Sequence, residues 1–127
     1  MSRSLELDTS KTGLRAFLKD YEEEAMRALW SNPVGLNSRE VWEKVNEELG
    51  AEGISRASVI NFLEYMRERG VLGGIDRTGK GGHHWVYVPS LNEADFKQYL
   101  ARTLIDNLLR DFPAETKAAL GKYSKKD

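Results

Sequence analysis

The chain has 127 residues, 40% of them hydrophobic, and its 19 Lys and Arg nearly balance 20 Asp and Glu for a formal net charge of −1. That length holds one compact domain with a short appendage and excludes two large ones, while the absence of cysteine excludes a disulfide framework, a thiolate metal site and a cysteine nucleophile. The N-terminus lacks a signal-like apolar run and nothing approaches the roughly 20 apolar residues needed to cross a bilayer, so a cytoplasmic protein without a membrane partner is expected.

Residues 1–12 are polar and aperiodic, as in a flexible arm. Leu14, Phe17 and Leu18 then recur at helical spacing and predict a turn or two. In "KDYEEEAMRALWSNPVG" Asp20 is the expected N-cap and three glutamates suit the positive helix end. Tyr21, Ala25, Ala28 and Leu29, helped by Met26 and Trp30, form the buried stripe, and Pro33 and Gly35 stop the helix. "LNSREVWEKVNEELGAEG" predicts a second helix capped by Asn37 or Ser38, with Val41, Trp42, Val45 and Leu49 facing inward and Gly50 as its stop. "ISRASVINFLEYMRERGVL" predicts a third, capped by Ser55, packed through Val59, Phe62, Leu63 and Met66, and closed by Gly70.

From Val71 the pattern becomes alternating around a glycine-rich tip in "VLGGIDRTGKGGHHWVYVP". Val71, Ile75, Trp85, Tyr87 and Val88 suit strands, and Gly79, Gly81 and Gly82 suit a hairpin turn. All three tryptophans are expected in the core, Trp30 and Trp42 between helices and Trp85 under the hairpin. Asn92 or Ser90 can cap a long helix carrying Phe96, Tyr99, Leu100, Leu104, Leu108 and Leu109, which Pro113 breaks. A short helix around Ala118, Ala119 and Leu120 precedes a charged tail, KYSKKD.

Three helices followed by a hairpin is the order of a winged helix-turn-helix, whose third helix enters the DNA major groove while the hairpin follows the backbone. On a 100° wheel the third helix turns Arg56, Ala57, Ile60, Asn61, Glu64 and Tyr65 outward and leaves Ser58 at the boundary. Asn pairs bidentately with adenine and Arg with guanine, and Ser hydroxyls and helix-end amides suit phosphates. Ser38 and Arg39 open the second helix, and Arg77 and Lys80 put cations on the wing. Between Leu36 and Val88 there are seven Lys or Arg against eight Asp or Glu, so affinity is expected to be modest and salt-sensitive unless two copies act together.

The competing readings are weaker. Adjacent His83 and His84 point to opposite faces of a strand and cannot chelate from one side. "GKGG" lacks the spacing and the Lys-Ser/Thr ending of a phosphate-binding loop. No Ser/His/Asp set or carboxylate pair stands out, so no enzymatic activity, metal or cofactor is expected. A winged-helix module that binds a protein, favoured by the acidic balance and by outward Ile60 and Tyr65, is the alternative.

"LKDYEEEAMRALW", "NSREVWEKVNEE", "SRASVINFLEYMRERGVL" and "HHWVYVPSLNEADF" stand in the order and spacing of one family. Over roughly residues 18 to 96 the sequence resembles the BlaI/MecI penicillinase repressors. The resemblance implies a homodimeric repressor on a palindromic operator. It implies DNA contact at Ser55, Ala57, Ser58 and Asn61, backbone approach at Ser38 and Arg39, and wing contacts at Arg77 and Lys80. Ala57 and Tyr65 stand where family members often carry basic residues. After Pro89 the chain shows no counterpart of the family's Asn-Phe cleavage bond, the pair Asn61–Phe62 lying in the third helix, and without cysteine it lacks the thiolate copper site of one branch.

The expected architecture is therefore mainly α with a small antiparallel hairpin. It comprises an arm (1–12), a winged helix-turn-helix (13–90), a helical dimerisation segment (91–121) and a tail (122–127). The apolar stripe of Phe96, Leu100, Leu104 and Leu108, flanked by Tyr99 and Thr103, is wider than one packing face needs and predicts the homodimer interface. Double-stranded DNA and a second copy are the expected partners, and no residue pattern names an inducing ligand.

Overall fold

The computed structural model describes residues 5–50, 53–79 and 82–124, the side chains of 78, 79, 82–84 and 124 excepted. The chain divides into two units, Met1–Asn92 and Glu93–Asp127.

In the first unit, Asp8 donates its backbone N–H to the Ala16 carbonyl (2.7 Å), and its carboxylate accepts from the Ser10 amide (3.0 Å) and hydroxyl (2.6 Å). These bonds tie the polar N-terminal stretch to a 3-10 turn, Gly13–Ala16, that buries Leu14 and Ala16. The first helix, α1 (Asp20–Ser31), takes Lys19 rather than Asp20 at its N-cap position. A lysine side chain cannot accept from the first amides, so Glu22 supplies the bond in the reverse direction, its Oε1 accepting the Lys19 N–H at 2.8 Å. That bond satisfies a carboxylate oxygen on a residue only 1% exposed. Glu23 joins Arg15 and Arg27, each at 2.7 Å.

In α2 (Ser38–Leu49) the cap is Asn37: its Oδ1 accepts the Glu40 N–H (2.8 Å) and Glu40 Oε1 accepts the Asn37 N–H (2.9 Å), a reciprocal capping box. In α3 (Arg56–Glu68) the Ser55 hydroxyl accepts the Ser58 N–H at 3.1 Å. Gly50 and Gly70 take φ of +71° and +82° after these two helices, the backbone that the sequence placed glycine to adopt. Val41 and Val45 of α2, Val59, Phe62, Leu63 and Met66 of α3, and Ala25, Met26 and Leu29 of α1 are at most 1% exposed. Burying each large side chain is worth about 1.5–3 kcal/mol. Trp42 and Trp30 are half-buried and donate their indole N–H to the Ile54 (2.8 Å) and Leu91 (3.1 Å) carbonyls.

The hairpin forms as expected, β2 (Leu72–Gly79) antiparallel to β3 (Gly82–Pro89) in register from Leu72–Pro89 to Gly79–Gly82. A third strand was not foreseen. Leu36 and Asn37 form β1 and pair with Tyr87 and Val86 of β3, giving the order β1-β3-β2. The chain enters β1 through Gly35 at φ +113°, where a Cβ would stand 2.5 Å from Val86 Cγ1. Glycine is required there by conformation and by space. The expectation of a buried Trp85 is corrected: it is 36% exposed, one ring face covered by the Arg67 guanidinium 5.3 Å from its centroid. A cation over an aromatic face lets the ring stay at the surface.

The second unit pairs α4 (Glu93–Asp111) with α5 (Pro113–Ser124). Pro113 ends α4 and also opens α5, because its missing N–H is no loss at a first helical position. Thr116 joins the two helices, its hydroxyl donating to the Leu108 carbonyl at 3.1 Å. The short terminal helix expected around Ala118 is thus 12 residues long and runs into the segment read as tail. Among the described residues no helix is long and apolar enough to cross a membrane.

Candidate nucleic-acid interface

The two faces of α3 separate as the wheel implies. Val59, Phe62, Leu63 and Met66 are buried, Arg56, Ala57 and Asn61 are exposed, and Ser58, Ile60, Glu64 and Tyr65 are half-buried. A polar, mostly unencumbered edge therefore survives packing. Its first turn is ordered by side chains: the Ser55 hydroxyl donates to Ser58 Oγ (2.9 Å) while also capping the helix.

Arg56 reaches from α3 to α2, its Nη2 donating to Ser38 Oγ at 3.5 Å. This contact brings together the N-termini of α2 and α3, whose free amides and dipoles favour a negatively charged partner. Arg39 lies on the same end of α2, 67% exposed, its Nε 3.4 Å from Glu43 Oε2. So long and exposed a pair holds the guanidinium only loosely and leaves it available. Tyr65 is less free: its ring lies under the Arg69 guanidinium, 5.5 Å away.

The structure thus gathers Ser38, Arg39, Ser55, Arg56, Ala57 and Ser58 at two adjoining helix ends, with Asn61 a turn further along α3. Arg77 is exposed on β2 of the wing. Lys80 lies outside the described residues, as do the side chains of His83 and His84. Among the described residues no group of three or more His, Cys, Asp or Glu is placed to hold a metal.

One cluster escaped the sequence reading. On α3, Glu64 Oε1 accepts from Arg67 Nη2 at 2.8 Å; the Tyr87 phenol of β3 donates to Glu64 Oε2; and Arg67 covers Trp85. The Arg67 hydrogen bond holds the Glu64 carboxyl below its usual range, against the opposing effect of burial. Burial first, and the Glu64 hydrogen bond second, push the Tyr87 phenol far above its ordinary value, so it remains a donor. The Glu64–Arg67 spacing is a visible i, i+3 signal. The Tyr87 partner, 23 residues on, is not.

In the second unit the expected interface residues are graded in exposure. Phe96 and Leu100 are buried, Tyr99, Thr103 and Leu104 half-buried, and Leu108 is 44% exposed. Tyr99 stacks on Phe96 at 6.2 Å and Thr103 Oγ1 donates to the Tyr99 carbonyl. Towards the chain end, Ile105, Leu108, Phe112, Ala119, Leu120 and Tyr123 line an open groove of about 270 Å³.

Compared with known proteins, the chain matches the penicillinase repressor family over residues 18–126, which takes the resemblance beyond residue 96 and through both C-terminal helices. No curated protein matches it. Among solved structures, a protein described as a transcriptional regulator, TA0346 from Thermoplasma acidophilum, shares 22% identity over 70% of this chain and 93% of its own, with a TM-score of 0.47.

Proposed function

Because the chain belongs to the penicillinase repressor family, we propose that it is a homodimeric transcriptional repressor binding a palindromic operator in double-stranded DNA. The observation that carries this reading is α3 itself, which buries one face completely and keeps Arg56, Ala57 and Asn61 exposed beside the N-terminus of α2. In this mechanism α3 lies in the major groove, where Asn61 reads a base edge and Arg56 serves a guanine or a phosphate. Ser38 and Arg39 present the α2 end to the backbone, and Arg77 and Lys80 bring the wing to the flanking phosphates. With cations and acids nearly balanced, a single copy binds weakly. Self-association through the C-terminal helices places two copies of α3 on symmetric half-sites.

Selection of bound sequences from a random duplex pool at low and moderate salt tests the reading. An enriched inverted repeat is expected, and enrichment of no motif would reject it in favour of a protein-binding module. On the selected operator, Asn61→Ala should cost about 1–3 kcal/mol of specific binding and relax the preference at one position per half-site.

A further inference from the structure

Glu64 stands three residues beyond Asn61, on the same side of α3 and one turn further along. A free carboxylate at that place would meet DNA phosphates with like charge. Both of its oxygens are engaged instead, Oε1 by Arg67 at 2.8 Å and Oε2 by the Tyr87 phenol. Arg67 is steadied over the Trp85 ring, and Trp85 reaches that position only because Gly74 has no side chain: a Cβ there would stand 2.4 Å from Trp85 Nε1. Two elements, α3 and β3, thus converge on one acid.

Resting on the DNA-binding reading, we propose that Tyr87 and Arg67 are positioning residues that hold the Glu64 carboxylate neutralised and drawn to the wing, so that α3 can approach DNA. The same bonds latch the wing to the helix that it accompanies. The count of acids near the interface therefore overstates the repulsion that DNA would meet, because this one is matched by a cation and a phenol from within the fold.

The test uses the full chain and the operator selected by the wild type. Tyr87→Phe and Arg67→Met should each weaken operator binding by about 3- to 10-fold, the scale of the net worth of an ordinary intramolecular hydrogen bond. Adding Glu64→Gln to either variant should bring binding back to within about 2-fold of wild type, since the released charge is then gone. Loss without rescue overturns the proposal, as expected if Arg67 touched DNA itself or Tyr87 served packing alone. No loss in either variant overturns it as well. If Tyr87→Phe fails to fold by its melting curve, the more exposed Arg67→Met and its double variant decide the matter. A wild type that enriches no motif removes the DNA reading and this inference together, whereas a specific wild type with unrescued variants removes the inference alone.

Discussion

The two units differ in what their apolar residues have left to do. In Met1–Asn92 the large side chains of the three helices converge on one another, and Val41, Val45, Val59, Phe62 and Leu63 are fully buried. In Glu93–Asp127, Leu108, Phe112, Leu120 and Tyr123 are 44%, 56%, 39% and 75% exposed. Apolar surface kept in water costs free energy that burial would recover. The first unit also exposes Leu7, Val34, Ile75 and Trp85, but the exposed apolar residues of the second line one groove, which is the physical argument for placing the proposed self-association there.

The strongest challenge to this contrast is Phe62→Ala, which should cost about 3–5 kcal/mol in denaturant unfolding by opening a cavity among α1, α2 and α3. A loss below 1 kcal/mol would mean that the first unit does not rest on this core. Leu108→Asp comes next: it should leave helicity and monomer stability nearly unchanged while removing about 1.5–3 kcal/mol of buried contact, summed over two copies, from self-association, since each Leu108 has only its exposed 44% left to bury. Sedimentation should register this as dissociation roughly 10- to 100-fold easier. Unchanged association would locate the second copy elsewhere. Asn37→Ala removes a capping acceptor and should lower stability by about 1 kcal/mol, with no effect on self-association.

The smallest effect concerns acid. The folded pKa of Glu64 is depressed, chiefly by Arg67, so its stabilisation is present above the unfolded value of 4.5 and is lost as pH falls through the folded one. The difference in melting temperature between wild type and Glu64→Gln should accordingly shrink below pH 4.5. A difference that stays constant with pH would show that the carboxylate's charge contributes nothing to the latch.

Much of the first unit was legible because its signals are local. The faces of α3 follow from the helical period, the stops at Gly50 and Gly70 from glycine's freedom at positive φ, and the hairpin from alternation around a glycine tip. Features joining distant segments were not legible. Two residues of β1 carry no periodicity and become a strand only when β3, some 50 residues later, lies beside them. Trp85, expected under the hairpin, instead has its ring partnered at the surface by Arg67. Of the proposed interface, the residue types and their side of the helix could be read; the Arg56–Ser38 contact and the Glu64–Tyr87 bond could not.

By itself the sequence determined the three helices and the hairpin of the first unit, the glycine stops of α2 and α3, which face of each helix seeks the core and, through its motifs, the family. These are properties of a few neighbouring residues, set by backbone geometry and by the separation of apolar from polar groups. Only the tertiary structure decided that the ends of α2 and α3 adjoin, that β1 pairs with the wing, and that an acid of α3 accepts a hydrogen bond from a phenol of β3. Contacts of that kind depend on where packing brings the chain back on itself, and no spacing along the sequence encodes that distance.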